Sequence, residues 1–248
     1  MMDDSFLFFV IAGAAAFLVG ASKGGLPMVG ALGVPLLALV MSPVAAAALL
    51  LPVYIVSDWV GLWAYRHEYS KRNLAILLPA MVFGVGVGWA TAKVTPEWMV
   101  TLLVGVVGLY YCATVVFRKA DAPPHRADIP RGLFWGTLTG FTSFVSHTGG
   151  PPFQTYVLPQ KLPKMVFAGT STIAFAIINV VKLVPYWALG QFNPGNLEMA
   201  AILSPVAIVG AVVGYKGTKL LPEQLFYRLV EVALFLISLK LIYDALFK

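Results

Sequence analysis

Apolar residues run along this chain in long blocks, and polar residues are confined to short stretches between them. Six unbroken blocks come close to the roughly 20 residues that carry a helix across a bilayer: Pro43 to Tyr65, Leu74 to Ala92, Trp98 to Phe117, Met165 to Leu189, Leu197 to Tyr215 and Gln224 to Phe247. A helix satisfies its own backbone hydrogen bonds in hydrocarbon, so each block predicts one full membrane span. Two further apolar stretches are interrupted. Phe6 to Met41 is broken at Lys23-Gly24-Gly25-Leu26-Pro27, and Gly132 to Gln160 at His147-Thr148-Gly149-Gly150-Pro151-Pro152. Glycine and proline end helices, so each of these predicts a hairpin of discontinuous helices.

Composition agrees with this pattern. The 248 residues are 59% hydrophobic and 11% charged, with a mean hydropathy of +0.84, which places the chain in lipid rather than water. The start, Met1-Met2-Asp3-Asp4, is acidic where a cleavable secretory signal needs basic residues, so the first apolar run is expected to belong to the mature protein. One cysteine, Cys112, precludes an intramolecular disulfide and reads as a small buried residue. The net charge of +6 comes from basic residues in the short loops, where membrane topology explains them, and no nucleic-acid role is expected.

The chain repeats itself. At a displacement of 126 residues, Pro79, Gly84, Gly88, Lys93, Pro96 and Glu97 fall on Pro205, Gly210, Gly214, Lys219, Pro222 and Glu223. At 125, Gly24-Gly25 falls on Gly149-Gly150, Pro27 on Pro152, and Ser22 on His147. Residues 1–122 and 123–248 are therefore expected to be two copies of one unit, joined by the polar stretch Arg118 to Arg126.

Loop charges predict the direction of each copy. If both broken stretches are hairpins, eleven of the seventeen Lys and Arg lie on one side of the membrane, and only Lys93 and Lys248 lie opposite. With single crossings the loop count becomes eight against five, a weaker asymmetry than cytoplasmic loops usually have. The hairpin reading gives each half three full spans, an odd number, so the second half is inserted upside down. The expected fold is an all-α polytopic membrane protein of two inverted repeats, each a Gly/Pro-broken helical hairpin plus three full transmembrane helices. Both termini lie outside. Inverted repeats with broken helices near the midplane are a common plan of secondary transporters.

Candidate chemistry gathers at the two breaks. An ammonium at bilayer depth costs about 2.5 kcal/mol or more, so Lys23 must face a cavity or an acid unless it snorkels from a shallow hairpin. His147 can donate hydrogen bonds to an oxyanion or change charge near neutral pH. Pro27 and Pro152 suit the first turn of a half-helix, and Gly24, Gly25, Gly149 and Gly150 leave the backbone accessible to an anion. Ser22, Ser143, Ser146 and Thr148 add hydroxyls at the same level. Asn179 and Lys182, one turn apart on one apolar span, face the same way and are expected to line the path. Asp58 lies at similar depth and is expected to pair with a basic group. Arg228 and Glu231 suit a local ion pair, and Gly84, Gly86, Gly88, Gly210 and Gly214 suit close helix packing. Trp59, Trp63, Tyr65, Trp89, Trp98, Tyr186 and Trp187 are expected in the headgroup belts.

Taken in order, Gly20-Ala21-Ser22-Lys23-Gly24-Gly25, Gly140-Phe141-Thr142-Ser143 through Gly149-Gly150-Pro151-Pro152, Gly169-Thr170, and Asn179, Lys182, Tyr186 and Gly190 resemble the TauE/SafE family of membrane transporters. The resemblance covers nearly the whole chain. It implies transport of a sulfur-containing anion such as sulfite or an organosulfonate, by a multi-pass protein of a bacterial inner membrane. Its partners would be the small anion and the bilayer. No acid-base or nucleophile constellation for an enzyme is evident, and neither a metal nor a cofactor is expected. An anion channel and a non-transporting membrane subunit are the alternatives, since broken hairpins also build pores.

Overall fold

The first apolar stretch folds as one long helix, α1 (Asp4–Lys23), followed by a broken return, α2 (Pro27–Gly30) and α3 (Gly33–Leu37). The computed structural model describes residues 4–117 and 123–247. The start Met1 to Asp3, the linker positions Arg118 to Ala122, and Lys248 lie outside the described residues. After the first hairpin come α4 (Pro43–Ala64), α5 (Lys71–Thr91) and α6 (Glu97–Phe117). The second half repeats this order with α7 (Ile129–Ser146), a short return α8 (Gly150–Val157) closed by a 3-10 turn at Leu158–Gln160, then α9 (Lys164–Ala188), α10 (Pro194–Leu220) and α11 (Glu223–Phe247).

Helix starts follow the local sequence. The side chains of Ser42, Ser70, Asp128 and Asn193 accept the backbone N–H three residues on, capping α4, α5, α7 and α10. Among the described residues, five helices are long and apolar enough to cross a membrane: α1, α4, α5, α9 and α10. Four of the six expected full spans are among them. The apolar part of α6, Trp98–Thr114, is shorter, and α11 is interrupted by Arg228, Glu231, Lys240 and Asp244. The described ion pairs do not include Arg228 with Glu231, whose carboxyl meets Tyr111 of α6.

Packing partners recur in matched sets. α1 packs on α10 as α7 packs on α5, α4 meets α10 as α9 meets α5, and α4 crosses α9 while α6 lies along α11. Glycines set the register of these contacts. A side chain at Gly20 would run into the backbone of Ala207, and one at Gly140 into that of Met81. Gly210 likewise faces Phe17 and Ala21, and Gly84 faces Thr137 and Phe141. These pairs relate α1 to α7 by 120 residues, Gly20 to Gly140, rather than by the 125 that aligns the glycine pairs at the breaks. On this register Lys23 corresponds to Ser143. The difference arises because Gly24-Gly25 ends α1 at once, whereas α7 continues through Phe144-Val145-Ser146 before it stops at His147, in left-handed conformation with φ 55°. Gly86 has nothing near it and takes no part in packing.

The outer surface is apolar, with Phe83, Val184, Leu236 and other large side chains exposed, as lipid contact requires. Trp59, Trp63, Trp89, Trp98 and Trp187 are exposed, in keeping with a belt. Tyr65 and Tyr186 are not. Both are buried, because each hydroxyl donates to a hairpin carbonyl: Tyr65 to Gly24 at 2.7 Å and Tyr186 to Phe144 at 3.1 Å. Gly24 and Phe144 again differ by 120, so the two tyrosines hold corresponding points. Cys112 is half-buried rather than buried.

Candidate functional site

Four apolar elements bring polar side chains to one place. On α4, Asp58 is six residues from the helix end, and on α9, Asn179 and Lys182 share a face where that helix crosses α4. The Lys23 ammonium, at the last residue of α1, lies 2.8 Å from Asp58 Oδ1, and Asn179 Nδ2 donates to Asp58 Oδ2 at 2.8 Å. Lys23 is 4% exposed and Asp58 3%, so this is a buried pair whose two carboxylate oxygens are both engaged. The same ammonium sits 5.0 Å from the centre of the Tyr54 ring, a cation–π distance. Lys23 thus meets both an acid and a cavity.

Lys182 is fully buried and pairs with no carboxylate among the described residues. Its ammonium donates to the Ser143 carbonyl at 3.2 Å and the Ser143 hydroxyl at 3.3 Å, and lies 3.1 Å from His147 Nδ1. His147 Nε2 is 3.0 Å from the Tyr186 hydroxyl. One proton arrangement satisfies the whole chain of contacts: Lys182 donates to Nδ1, Nε2–H donates to the Tyr186 oxygen, and Tyr186 donates to the Phe144 carbonyl. The imidazole is neutral in that arrangement. Its ring stacks on Tyr54 with centroids 5.3 Å apart and planes 5° from parallel, which fixes its orientation.

All of these side chains except Asp58 and Tyr186, which stand behind them, line a cavity of about 50 Å³, large enough for a few waters or one small oxyanion. Of the sequence-predicted residues, Ser22, Lys23, His147, Gly150, Asn179 and Lys182 line it. Ser143 lines it too. The other expected positions do structural work around it. Gly24 lies against the backbone of α10, Gly25 (φ 109°) forms the turn beside Tyr65, and Gly149 abuts Thr139 and Ser143. Ser146 and Thr148 hydrogen-bond each other at 2.6 Å. A side chain at Gly150 would meet only the end of Gln154, so among the four glycines this one borders open space. Tyr54, Ser171, Thr172 and Phe175 also line the cavity and went unnoticed in the sequence. They lie on apolar helices where aromatic and hydroxyl residues are common, and only their spacing from Asp58 and Asn179 could have marked them.

A lysine in each half serves this cavity, but from different helices. With Tyr65 matched to Tyr186 and Gly24 to Phe144, Gly61 of α4 corresponds to Lys182 of α9, just as Lys23 of α1 corresponds to Ser143 of α7. A side chain at Gly61 would meet Thr172 and the Lys23 carbonyl, so the first half has room for its lysine on α1 and none on α4. The family model of the sulfite exporter TauE/SafE matches residues 9–241 of the chain. The chain belongs to the TauE/SafE family. Membership in this transporter family, together with the apolar helices, makes it an integral membrane protein. Among curated proteins and solved structures, none matches it. The TauE/SafE match spans both hairpins and every element that lines the cavity, so the site lies wholly within the matched region.

Proposed function

We propose that the protein is a secondary carrier of a bacterial inner membrane that moves a small sulfur-containing oxyanion, such as sulfite or an organosulfonate, through the cavity between its hairpins. The observation that carries this reading is Lys182, a fully buried lysine with no carboxylate partner among the described residues. A buried charge of this kind is costly until something negative joins it, and the cavity beside it has the size of a small oxyanion. Ser143, Asn179 and Ser22 add polar side chains around the space such an anion would occupy. The Lys23–Asp58 pair is internally neutral, so Lys182 supplies the site's net charge.

Alternating access follows from treating residues 1–122 and 123–248 as inverted repeats. The recurring contacts, Tyr65 to Gly24 and Tyr186 to Phe144, support that view, since they give each hairpin the same kind of hold. The test is uptake into liposomes containing the purified protein, with sulfite, sulfate, thiosulfate, taurine and sulfoacetate supplied in turn. Saturable flux of at least one of these that accelerates when the same anion is present on the far side supports the carrier. Flux that never saturates, with unitary currents, would make it a channel, and no flux of any would refute transport of this class.

A further inference from the structure

His147 has a second role available to it in this cavity, and the charges around it define that role. The groups facing its ring are Lys182 and Tyr186 from α9, Tyr54 from α4, and the Lys23–Asp58 pair of α1 and α4 beyond Tyr54. With the imidazole neutral and Lys182 protonated, these sum to one positive charge. A monoanion brings the loaded site to neutrality. A dianion leaves one negative charge buried; of the two groups that can take up a proton, Asp58 has both oxygens engaged by Lys23 and Asn179, which leaves His147 Nδ1.

We infer that the site carries one net negative charge per cycle, taking a monoanion alone and a dianion only together with one proton on His147. This rests on the proposed transport function and specifies the cargo for it. The step balances simply. Lys182 transfers a hydrogen bond from Nδ1 to an anion oxygen, and the freed Nδ1 lone pair takes one proton from the bulk solution, which loses one H+ per dianion bound. The new N–H then donates to a second anion oxygen. Nε2–H, the Tyr186 hydroxyl and the Phe144 carbonyl keep their contacts throughout, so the ring need not turn. The stacked Tyr54 ring holds its plane while the charge changes. Without the dianion, Lys182 occupies Nδ1 and opposes that proton, which ties protonation to cargo.

Methanesulfonate and sulfate test this directly, because they are similar in shape and keep charges of −1 and −2 throughout the neutral range. Purified full-length protein in detergent is mixed with each in weakly buffered solution containing a pH indicator, and binding is measured in parallel by calorimetry across pH. We expect about one proton taken up per sulfate bound and none per methanesulfonate. By linkage, sulfate affinity should fall about tenfold per pH unit on the alkaline side, while methanesulfonate affinity stays flat. In His147→Gln the proton uptake should vanish and the preference should move toward methanesulfonate by tenfold or more. Sulfate binding without proton uptake, equal proton uptake with both anions, or methanesulfonate binding with no sulfate binding at any pH would overturn the inference. Binding of neither anion by the parent protein would overturn the anion site itself and this inference with it. The wild-type proton count tests the coupling without a variant, and should His147→Gln misfold, the imidazole NMR signals of the parent protein with and without sulfate locate the proton: an unchanged neutral ring in the sulfate complex would overturn the inference.

Discussion

Replacing Lys182 with methionine should make the protein more stable and less able to bind its anion. The side chain is fully buried, and its three contacts, to the Ser143 carbonyl and hydroxyl and to His147 Nδ1, are long at 3.1–3.3 Å. Such contacts offset only part of the cost of taking an ammonium out of water, and a methionine of similar volume removes that cost. We expect stability equal to the parent or higher by about 1 kcal/mol or more. Binding should lose a charge-assisted contact, about 1.5–3 kcal/mol, or roughly tenfold to a hundredfold in affinity. Lys23→Met should behave differently. It strands Asp58, a carboxylate 3% exposed with only Asn179 left to it, and breaking a buried pair this way costs about 3–5 kcal/mol. Thermal melts of both variants in one detergent, alongside sulfite titration calorimetry, separate these effects. If Lys182→Met melts below Lys23→Met, or binds sulfite as the parent does, the assignment of Lys182 as the charge awaiting an anion is wrong.

Other consequences follow from the packing and the site. Tyr65→Phe removes one hydroxyl bond to a hairpin carbonyl and should destabilise by about 0.5–1.5 kcal/mol in the same melts, while Tyr186→Phe also leaves the buried His147 Nε2–H without its acceptor and should cost about 1–3 kcal/mol; no change in either would argue against the hold at that hairpin. Gly140→Val drives a side chain into the Met81 backbone and should abolish monodisperse protein on gel filtration, whereas Gly86→Ala, facing open space, should be neutral or slightly stabilising. Gly150→Ala fills part of the cavity without a clash and should weaken anion binding with little change in melting temperature. A cysteine at Asn193 should label from outside the cell and one at Arg126 should be protected, as the charge asymmetry of the loops requires; the reverse pattern would invert the topology.

The long helices could be read directly from hydropathy, because each must be apolar all round to lie in lipid. The caps Ser42, Ser70 and Asn193 went unread in the sequence, although each stands just before its helix as the local rule for helix starts requires. The cavity's charged members were legible too: Lys23, Asn179 and Lys182 stand out in apolar segments, where a polar side chain needs a partner. Which partner each one has was not legible. Lys23 and Asp58 are 35 residues apart in the sequence, and only the crossing of α1 and α4 brings them within 2.8 Å. The breaks also misled on register. Gly24-Gly25 and Gly149-Gly150 look equivalent as turns, but helix packing is set by Gly20 and Gly140, whose missing side chains admit a neighbouring backbone. Tyr65 and Tyr186 looked like headgroup anchors because an amphipathic ring near a span end suits either position. Only the distance to a hairpin carbonyl distinguishes the two.

Sulfite counterflow in liposomes tests the central claim most directly. Vesicles containing the parent protein and loaded with unlabelled sulfite should draw in labelled sulfite transiently and well above vesicles loaded with chloride, and the excess should saturate with concentration. Lys182→Met, folded and stable, should show little of it at the same protein density. Equal uptake by the parent and by Lys182→Met, or no counterflow in the parent, would contradict an anion carrier built around this buried lysine.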